Sequence, residues 1–362
     1  MPFDVPVYAA SRPGVRSTRS VAIWLFGMCA MLWVMVTLGG ATRLTGSGLS
    51  IMEWAPLRGT LPPLSDAEWQ RLYALYQQIP QYELVNKDFG LDGFKSIFWL
   101  EWGHRFWGRM IGLGFLLPLI WFAVRGHIGA RLGWRLGALF ALGGLQGAIG
   151  WFMVASGFAA DSTTVSPYRL VIHLSLALVL YSAILWTALG LWREGRPTVQ
   201  APPGLRPMVQ GTLALVALTV LAGGFVAGLR AGLTYNSFPL MGGRLVPESY
   251  ASLQPLWLNF TQDIATVQFN HRVLATVTAV LALMAVAWGL ARGVGGGLRW
   301  SLLALGSVVL GQYVLGVLTL LWVVPVSLGT AHQGMAVLAL TAALVATHVL
   351  YRPVTAKAVL KR

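Results

Sequence analysis

The sequence predicts an all-α integral membrane protein with eight transmembrane helices. We expect two tandem four-helix bundles, related by a pseudo-twofold axis along the membrane normal. Three observations support this prediction. Of 362 residues, 56% are hydrophobic and only 10% are charged, which is outside the range of soluble globular domains. Apolar runs long enough to cross a bilayer, about 20 residues, recur eight times. The last four runs also repeat motifs of the first four.

The eight runs divide the chain into two halves. They cover approximately residues 21–39, 98–124, 134–154, 168–191, 209–229, 264–290, 300–323 and 327–351. The first run is too long and too poor in cleavage signals to be a removed signal peptide. We therefore expect a polar tail (1–20), an N-terminal bundle (21–194) with a long external loop (41–97), a Pro-rich linker (195–207), a C-terminal bundle (208–352) and a second tail (353–362).

The net charge of +14 is distributed unevenly between the two sides of the predicted membrane. The side with the tails and the even-numbered connections holds fifteen basic and two acidic residues, while the other side is nearly neutral. Since Lys and Arg accumulate in cytoplasmic loops, both termini should be cytoplasmic. The basic excess thus reflects orientation in the lipid bilayer, and it predicts no nucleic-acid partner.

The external loop 41–97 begins with a Gly/Thr/Pro-rich stretch and continues with a predicted helix over 66–78. Ser65 should cap this helix. Its aromatic side, which includes Trp69 and Tyr76, is typical of a helix lying at the membrane interface. We expect the loop to cover the outer mouth of the N-terminal bundle.

Short motifs recur between the halves at nearly constant offsets. The pairs are Gly39/Gly223 and Gly48/Gly232 at 184, EWGHR (101–105) and QFNHR (268–272) at 167, Gln146/Gln312 and Gly150/Gly316 at 166, and His173/His332 at 159. The offset changes only in loops, where insertions are tolerated. Because each half has an even number of spans, both copies run in the same direction, as in parallel-repeat transporters.

Four histidines, His104, His173, His271 and His332, lie near the start of the four even-numbered spans. They should therefore occupy one depth, in the external leaflet, with two in each bundle. Paired imidazoles facing across a bundle suit haem iron, which takes an axial ligand from each side. Zinc would recruit more ligands, and the single Cys29 excludes a Cys-based site. The pattern predicts two haem sites.

Three arginines next to these histidines, Arg105, Arg109 and Arg272, are candidates to pair with haem propionates. The alternative is that they extend to the membrane surface without a ligand. His127 and His348 have no repeat partners, so we interpret them as loop or helix-end residues.

The halves differ one helical turn before the first histidine of each pair. Glu101 precedes His104, whereas Gln268 precedes His271. An acid beside a haem can accept or relay a proton, and a glutamine does not titrate. The N-terminal half is therefore predicted to be catalytic, with Glu101, His104 and His173 in the site, and the C-terminal half to hold a fixed cofactor. The alternative is that Glu101 is structural, paired with Arg105 or capping the helix.

Three classes of function fit these residues. An oxidase that modifies a bound haem needs two unequal sites and an acid beside one of them. A bis-histidine b-type electron-transfer cytochrome needs two permanent haems, and a membrane haem carrier needs an exit route. The difference between Glu101 and Gln268 favours the oxidase.

Strings along nearly the whole chain carry a family resemblance. They are GGATRLTGSGLSIMEWAPLRGTLPP, LSDAEWQRLY, FKSIFWLEWGHRFWGR, NHR and AHQG. With them the chain resembles the haem A synthase family, in the alphaproteobacterial and mitochondrial branch. It lacks the external cysteine pairs of other branches, which excludes a disulfide-based electron route here.

The resemblance implies oxidation of the ring methyl of haem O to the formyl group of haem A, through a hydroxymethyl intermediate, for cytochrome oxidase. It implies that His271 and His332 ligate a resident haem B and that His104 and His173 line the haem O/haem A site, with Glu101 acting nearby. It also implies a bacterial inner membrane, haem sites towards the periplasm, and haem O synthase and cytochrome oxidase assembly factors as candidate partners.

Overall fold

Eight long helices carry the predicted apolar runs. The computed structural model describes residues 15–56, 58–194 and 199–351. The spanning helices are α1 (Val15–Leu44), α4 (Leu91–Val124), α5 (Ala130–Val154), α6 (Pro167–Trp192), α7 (Leu205–Gly228), α9 (Ile264–Ala291), α10 (Gly296–Leu321) and α11 (Val326–Leu350). Each predicted run overlaps one of them, which confirms an all-α membrane protein with eight spans.

The helix ends refine the predicted boundaries. Helix α1 begins inside the segment predicted as a tail, while the rest of that tail and the tail 353–362 fall outside the described residues. Helix α4 begins at Leu91, about two turns before the apolar run. In those first turns Phe94 and Ile97 are buried against residues of the preceding loop.

The helices pack as two rings of four. In the N-terminal half, α1 and α5 each contact α4 and α6; in the C-terminal half, α7 and α10 each contact α9 and α11. The halves meet where α1 packs on α11 and α7 packs on α6. Each seam joins the first span of one half to the fourth span of the other. That is the arrangement the pseudo-twofold axis requires, and the axis itself stays a prediction.

Polar contacts join the two halves, two of them between α1 and α11. They include Trp33 Nε1 to Gly334 O (2.9 Å), Gln333 Nε2 to Val36 O (2.7 Å), Arg43 Nη1 to Ala227 O (2.9 Å) and Tyr181 Oη with Thr341 Oγ1 (2.6 Å). Arg43 and Ala227 are repeat equivalents, at the offset of 184. Because lipid offers no hydrogen-bonding partners, such pairs favour a fixed register between the halves.

A small external cap forms from α2 (Asp66–Tyr76), α3 (Pro80–Val85) and the first turns of α4. The predicted cap residue is confirmed, since Ser65 Oγ accepts from the Glu68 N–H. The predicted interfacial position of α2 is wrong. Its apolar residues Trp69, Leu72 and Tyr76 are buried in a second hydrophobic core, against Phe94, Ile97 and Phe98. Protein, and not lipid, covers the apolar face of α2.

The cap is joined to the start of the loop by one arginine. Arg71 binds Glu53 and Glu68, each at 2.8 Å. Its hydrogen bonds hold the pKa of both carboxyls below their usual value. These groups are largely solvent-exposed, so the pairs contribute orientation more than stability.

The second external loop is shorter. It contains the short helix α8 (Asn259–Gln262) and one bridge pair, Met241 with Arg244, which is the only β-pairing in the described part of the chain.

Candidate functional site

The four predicted histidines lie on four helices that start on the same side of the membrane. His104 is on α4, His173 on α6, His271 on α9 and His332 on α11. Within each half the two imidazoles are close enough to interact electrostatically, His104 with His173 and His332 with His271. The two helices that carry each pair lie on opposite sides of their ring of four, and ligation by the two imidazoles together stays a prediction.

Each imidazole lies against a glycine of a neighbouring helix. A Cβ atom added at Gly39 would lie 3.2 Å from His104 Nε2. Equivalent additions would meet the Cε1 atom of a histidine: at Gly150, 2.8 Å from His173; at Gly223, 3.0 Å from His271; and at Gly316, 2.8 Å from His332. All four distances are shorter than ordinary contacts of a Cβ atom, so a larger residue at any of these glycines would displace the imidazole or the backbone.

Polar neighbours orient three of the rings. His271 Nδ1 lies 3.1 Å from the Thr219 carbonyl. Because a carbonyl only accepts, Nδ1 carries the proton and Nε2 is free to bind a metal. Gln146 donates to the His173 carbonyl at 2.9 Å and contacts His173 Nδ1 at 3.1 Å. Its repeat equivalent Gln312 reaches His332 Nε2 at 3.5 Å.

The donor set suits a haem iron better than an isolated metal ion. Nowhere in the described ranges do three or more His, Cys, Asp or Glu side chains converge as a metal site. Two imidazoles per half would leave a zinc ion without enough ligands. They would suffice for a haem iron, because the porphyrin supplies its other ligands. The buried Nδ1 of His332 has no hydrogen-bond partner among the described residues, so one polar atom of this ring is left unsatisfied.

Glu101 is 3% exposed and accepts four hydrogen bonds. Arg105 donates to Oε1 through Nε at 3.0 Å and Nη2 at 2.6 Å. Oε2 accepts from Ser50 Oγ at 2.7 Å and from the Ile51 N–H at 2.9 Å. The carboxylate therefore has a fixed position between α4 and the start of the external loop.

The second half repeats this arrangement with a neutral side chain. Arg105 donates to the carbonyls of Ile51 and Glu53, each at 2.8 Å. Arg272 donates to the repeat-equivalent carbonyls, Tyr235 O at 2.7 Å and Ser237 O at 2.8 Å. Gln268, which is 2% exposed, takes the place of Glu101: its Oε1 accepts from Arg272 at 3.2 Å and its Nε2 donates to Ala231 O at 2.9 Å. We call each of these sets the loop clamp.

The third predicted arginine binds the same external loop. Arg109 donates to Pro56 O at 2.8 Å and Ala55 O at 3.0 Å. Of these three arginines, Arg109 and Arg272 each have one buried nitrogen without a partner in the described residues, Nη1 and Nε respectively, whereas every nitrogen of Arg105 is bonded. Pairing of these arginines with propionates stays a prediction, and the free nitrogens belong to Arg109 and Arg272.

The remaining histidines lie at helix ends, as predicted. His127 follows α4 and packs against Trp121 and Phe122. His348 lies in the last turn of α11, against Trp186.

Sequence reasoning missed several residues around the histidines. Three repeat pairs contact imidazoles, although their sequence match alone did not indicate this: Gly39/Gly223, Gly150/Gly316 and Gln146/Gln312. The contact of His271 with Thr219 is to a backbone carbonyl, which any residue type supplies, so the sequence could not indicate it. Ser50 was part of a repeated motif, and its bond to Glu101 required the loop to fold back onto α4.

Comparisons with known proteins identify relatives over most of the chain. The profile of the COX15-CtaA family, described as cytochrome oxidase assembly protein, matches residues 22–344. A heme A synthase of Granulibacter bethesdensis is 60% identical over 339 residues, which is 94% of this chain and 89% of the relative. A heme A synthase of Rhodospirillum centenum is 47% identical, covering 95% and 92%, and one of Nitrosospira multiformis is 46% identical, covering 92% and 94%. The chain belongs to the haem A synthase family.

Proposed function

We propose that this protein oxidises the ring methyl of haem O to the formyl group of haem A, through a hydroxymethyl intermediate. The N-terminal half binds haem O between His104 and His173. The C-terminal half holds a resident haem B between His271 and His332. The proposal extends to this chain the activity that its relatives' names carry.

One observation carries the assignment of the halves. Both halves contain a histidine pair, glycine seats and a loop clamp, and they differ at the clamp's central residue, Glu101 in one half and Gln268 in the other. Two permanent electron-transfer haems would not need this difference. A site that removes protons from a substrate methyl does need it, because a carboxylate accepts a proton and an amide does not.

In the N-terminal half we assign proton transfer to Glu101. Conversion of a methyl to a formyl group removes electrons and protons and adds oxygen. Four donors fix the Glu101 carboxylate at the outer end of the site. The Ser50 hydroxyl, 2.7 Å from Oε2, is placed to pass a proton between the site and the external loop. Arg105 positions the carboxylate, and Arg109 Nη1 is the donor left for a propionate.

In the C-terminal half the residues favour permanent retention. The Thr219 carbonyl already sets the His271 tautomer that leaves Nε2 for iron. Gln268 leaves the charge of Arg272 uncompensated, so this clamp attracts a propionate more strongly than the Glu101–Arg105 pair does. A haem bound there supplies a one-electron redox centre.

The placement in the cell is part of the proposal. The excess of basic residues on one side favours cytoplasmic termini in a bacterial inner membrane, with the histidine pairs towards the periplasm. Haem O synthase and cytochrome oxidase assembly factors are the partners this function implies, as the source of substrate and the consumers of product.

The test is expression in a host that makes haem O and lacks haem A, followed by chromatography of the extracted porphyrins. We expect haem B in the purified protein, and haem A in the host only when the chain is present. His332→Ala should remove haem B and abolish haem A. Haem B alone, with two equivalents per chain and no haem A, would assign the protein to the electron-transfer cytochromes.

A further inference from the structure

The seam between α4 and α5 is closed at two levels. Towards the external side, the Arg105 guanidinium lies over the Trp151 ring, 5.5 Å from its centroid. Towards the cytoplasmic side, Phe115 and Phe140 stack with centroids 6.1 Å apart. Ten residues of α4 separate the two contacts, which corresponds to about 15 Å along the helix.

Between these contacts the seam is open. On α5, Gly144 and Gly147 lie on the same face as Phe140 and Trp151, at helical spacings of four, three and four residues. A Cβ atom added at either glycine would have no atom of another residue within 4 Å, and the same holds at Gly112 on α4. The two helices therefore leave a window between the Arg105–Trp151 and Phe115–Phe140 contacts, with glycines on both helices along it.

The equivalent seam of the C-terminal half, between α9 and α10, is closed. Tyr313 is the repeat equivalent of Gly147, and its hydroxyl bonds Thr276 across the seam at 3.1 Å. Phe238 of the external loop packs against the Tyr313 ring, with centroids 6.2 Å apart. Further along the same seam, a Cβ at Gly306 would lie 2.8 Å from Val286. Tyrosine thus fills in one half the space that glycine leaves in the other.

The burial of the helices shows the same difference. Over the most apolar 18 residues of each helix, 11% of α4 and 6% of α5 is buried, against 28% for both α9 and α10. The helices of the N-terminal seam are thus less covered by protein than those of the C-terminal seam.

The N-terminal histidine pair lies beside the outer edge of the window. Gly150, which seats His173, is one turn from Gly147 on α5. His104 directly precedes Arg105, which forms the outer contact with Trp151. The His104 ring lies against Gly39 of α1, and no hydrogen bond to it is found among the described residues.

We propose that the α4–α5 window is a lateral portal, through which the porphyrin substrate passes between the bilayer and the His104–His173 pair. This inference rests on the proposed function. A flat, largely apolar macrocycle partitions into lipid, and the glycines on both helices leave room for its edge. The sealed α9–α10 seam then explains why the other haem is resident. One structural difference between repeats makes one site exchangeable and the other permanent.

The portal is tested by filling it. Gly147→Leu places a side chain in the open seam, without a clash that would disturb the fold. Gly137→Leu is the matched control, since Gly137 lies on the same α5 stripe, also in open space, but on the cytoplasmic side of the Phe115–Phe140 contact. Haem O is mixed with the full-length protein in nanodiscs, and uptake is followed by absorbance.

We expect Gly147→Leu to slow both uptake and release of haem O about tenfold or more, with the spectrum of the loaded protein unchanged. Gly137→Leu should match the unchanged protein. The reverse variant, Tyr313→Gly, should speed loss of haem B to a haem-scavenging apoprotein.

Two outcomes separate the portal from the function on which it rests. Equal uptake rates in Gly147→Leu and the unchanged chain, with haem O binding intact, overturn the portal alone. An unchanged chain that takes up no haem O overturns the proposed function, and the portal with it.

Discussion

At the residue scale, the loop clamp gives Glu101 two tasks that are separable. It anchors the external loop through Ser50 and Ile51, and it places a titratable group beside the histidine pair. The C-terminal half shows that a Gln–Arg pair anchors the equivalent loop without an acid, since Arg272 holds Tyr235 and Ser237 as Arg105 holds Ile51 and Glu53. Anchoring therefore does not require a carboxylate.

Glu101→Gln should consequently leave the fold and haem B intact. We expect the rate of haem A formation to fall by about 10²–10⁴-fold, the usual contribution of a positioned acid or base. Haem O or the hydroxymethyl intermediate should accumulate, as measured by chromatography of extracted porphyrins. Gln268→Glu is the converse variant: it pairs the charge of Arg272 and should lower haem B retention, an effect that Glu101→Gln should not have. Near-normal haem A from Glu101→Gln would show that Glu101 is structural.

The glycine seats make a second prediction at this scale. Gly316→Ala places a Cβ 2.8 Å from His332, so the imidazole or the backbone must move. Overpacking of this kind costs about 1–3 kcal/mol, enough to lower haem B affinity by about tenfold or more. Gly297→Ala, in the same helix with open space around it, is the control. Equal haem B content in the two purified variants would contradict the seat.

At the element scale, the external cap shows where sequence patterns stop being sufficient. Ser65 and the acids after it predicted the start of α2 correctly. The amphipathic pattern also identified the buried residues, but amphipathicity alone does not distinguish a lipid surface from a protein surface. The partners Phe94, Ile97 and Phe98 lie about two dozen residues further along the chain, and the first two are on turns of α4 that the hydropathy pattern did not include.

Trp69→Ala tests the cap as a unit. The Trp69 ring contacts Phe94, Phe98 and Trp99, and removal of a buried Trp costs about 3–5 kcal/mol. We expect proteolysis of the external loop to accelerate and haem A yield to fall, while haem B retention stays normal. Trp257→Ala, in the exposed part of the other loop, should have little effect on either. Loss of haem B from Trp69→Ala would show that the cap supports both halves.

At the scale of the whole molecule, hydropathy and the internal repeat were enough to predict eight spans and two histidine pairs. Both patterns can be read from the sequence alone, because neither depends on tertiary contacts. The bonds of Arg105 and Arg109 to loop carbonyls were not predictable, because a carbonyl acceptor has no residue type. The open and closed seams were hidden for a similar reason, since Gly147 and Tyr313 acquire meaning only when the halves are compared in space.

The two seams between the halves, α1 with α11 and α7 with α6, have a consequence for the order in which the halves can follow each other in the chain. Four spans separate the start of α1 from the α6–α7 connection, and four more lead to the end of α11, so all three points lie on one side of the membrane. A circularly permuted chain, with residues 205–351 first and a short polar linker before residues 15–194, should therefore assemble the same seams. We expect it to retain haem B and produce haem A. A permutant that inserts but binds no haem B would show that synthesis of the N-terminal half must come first.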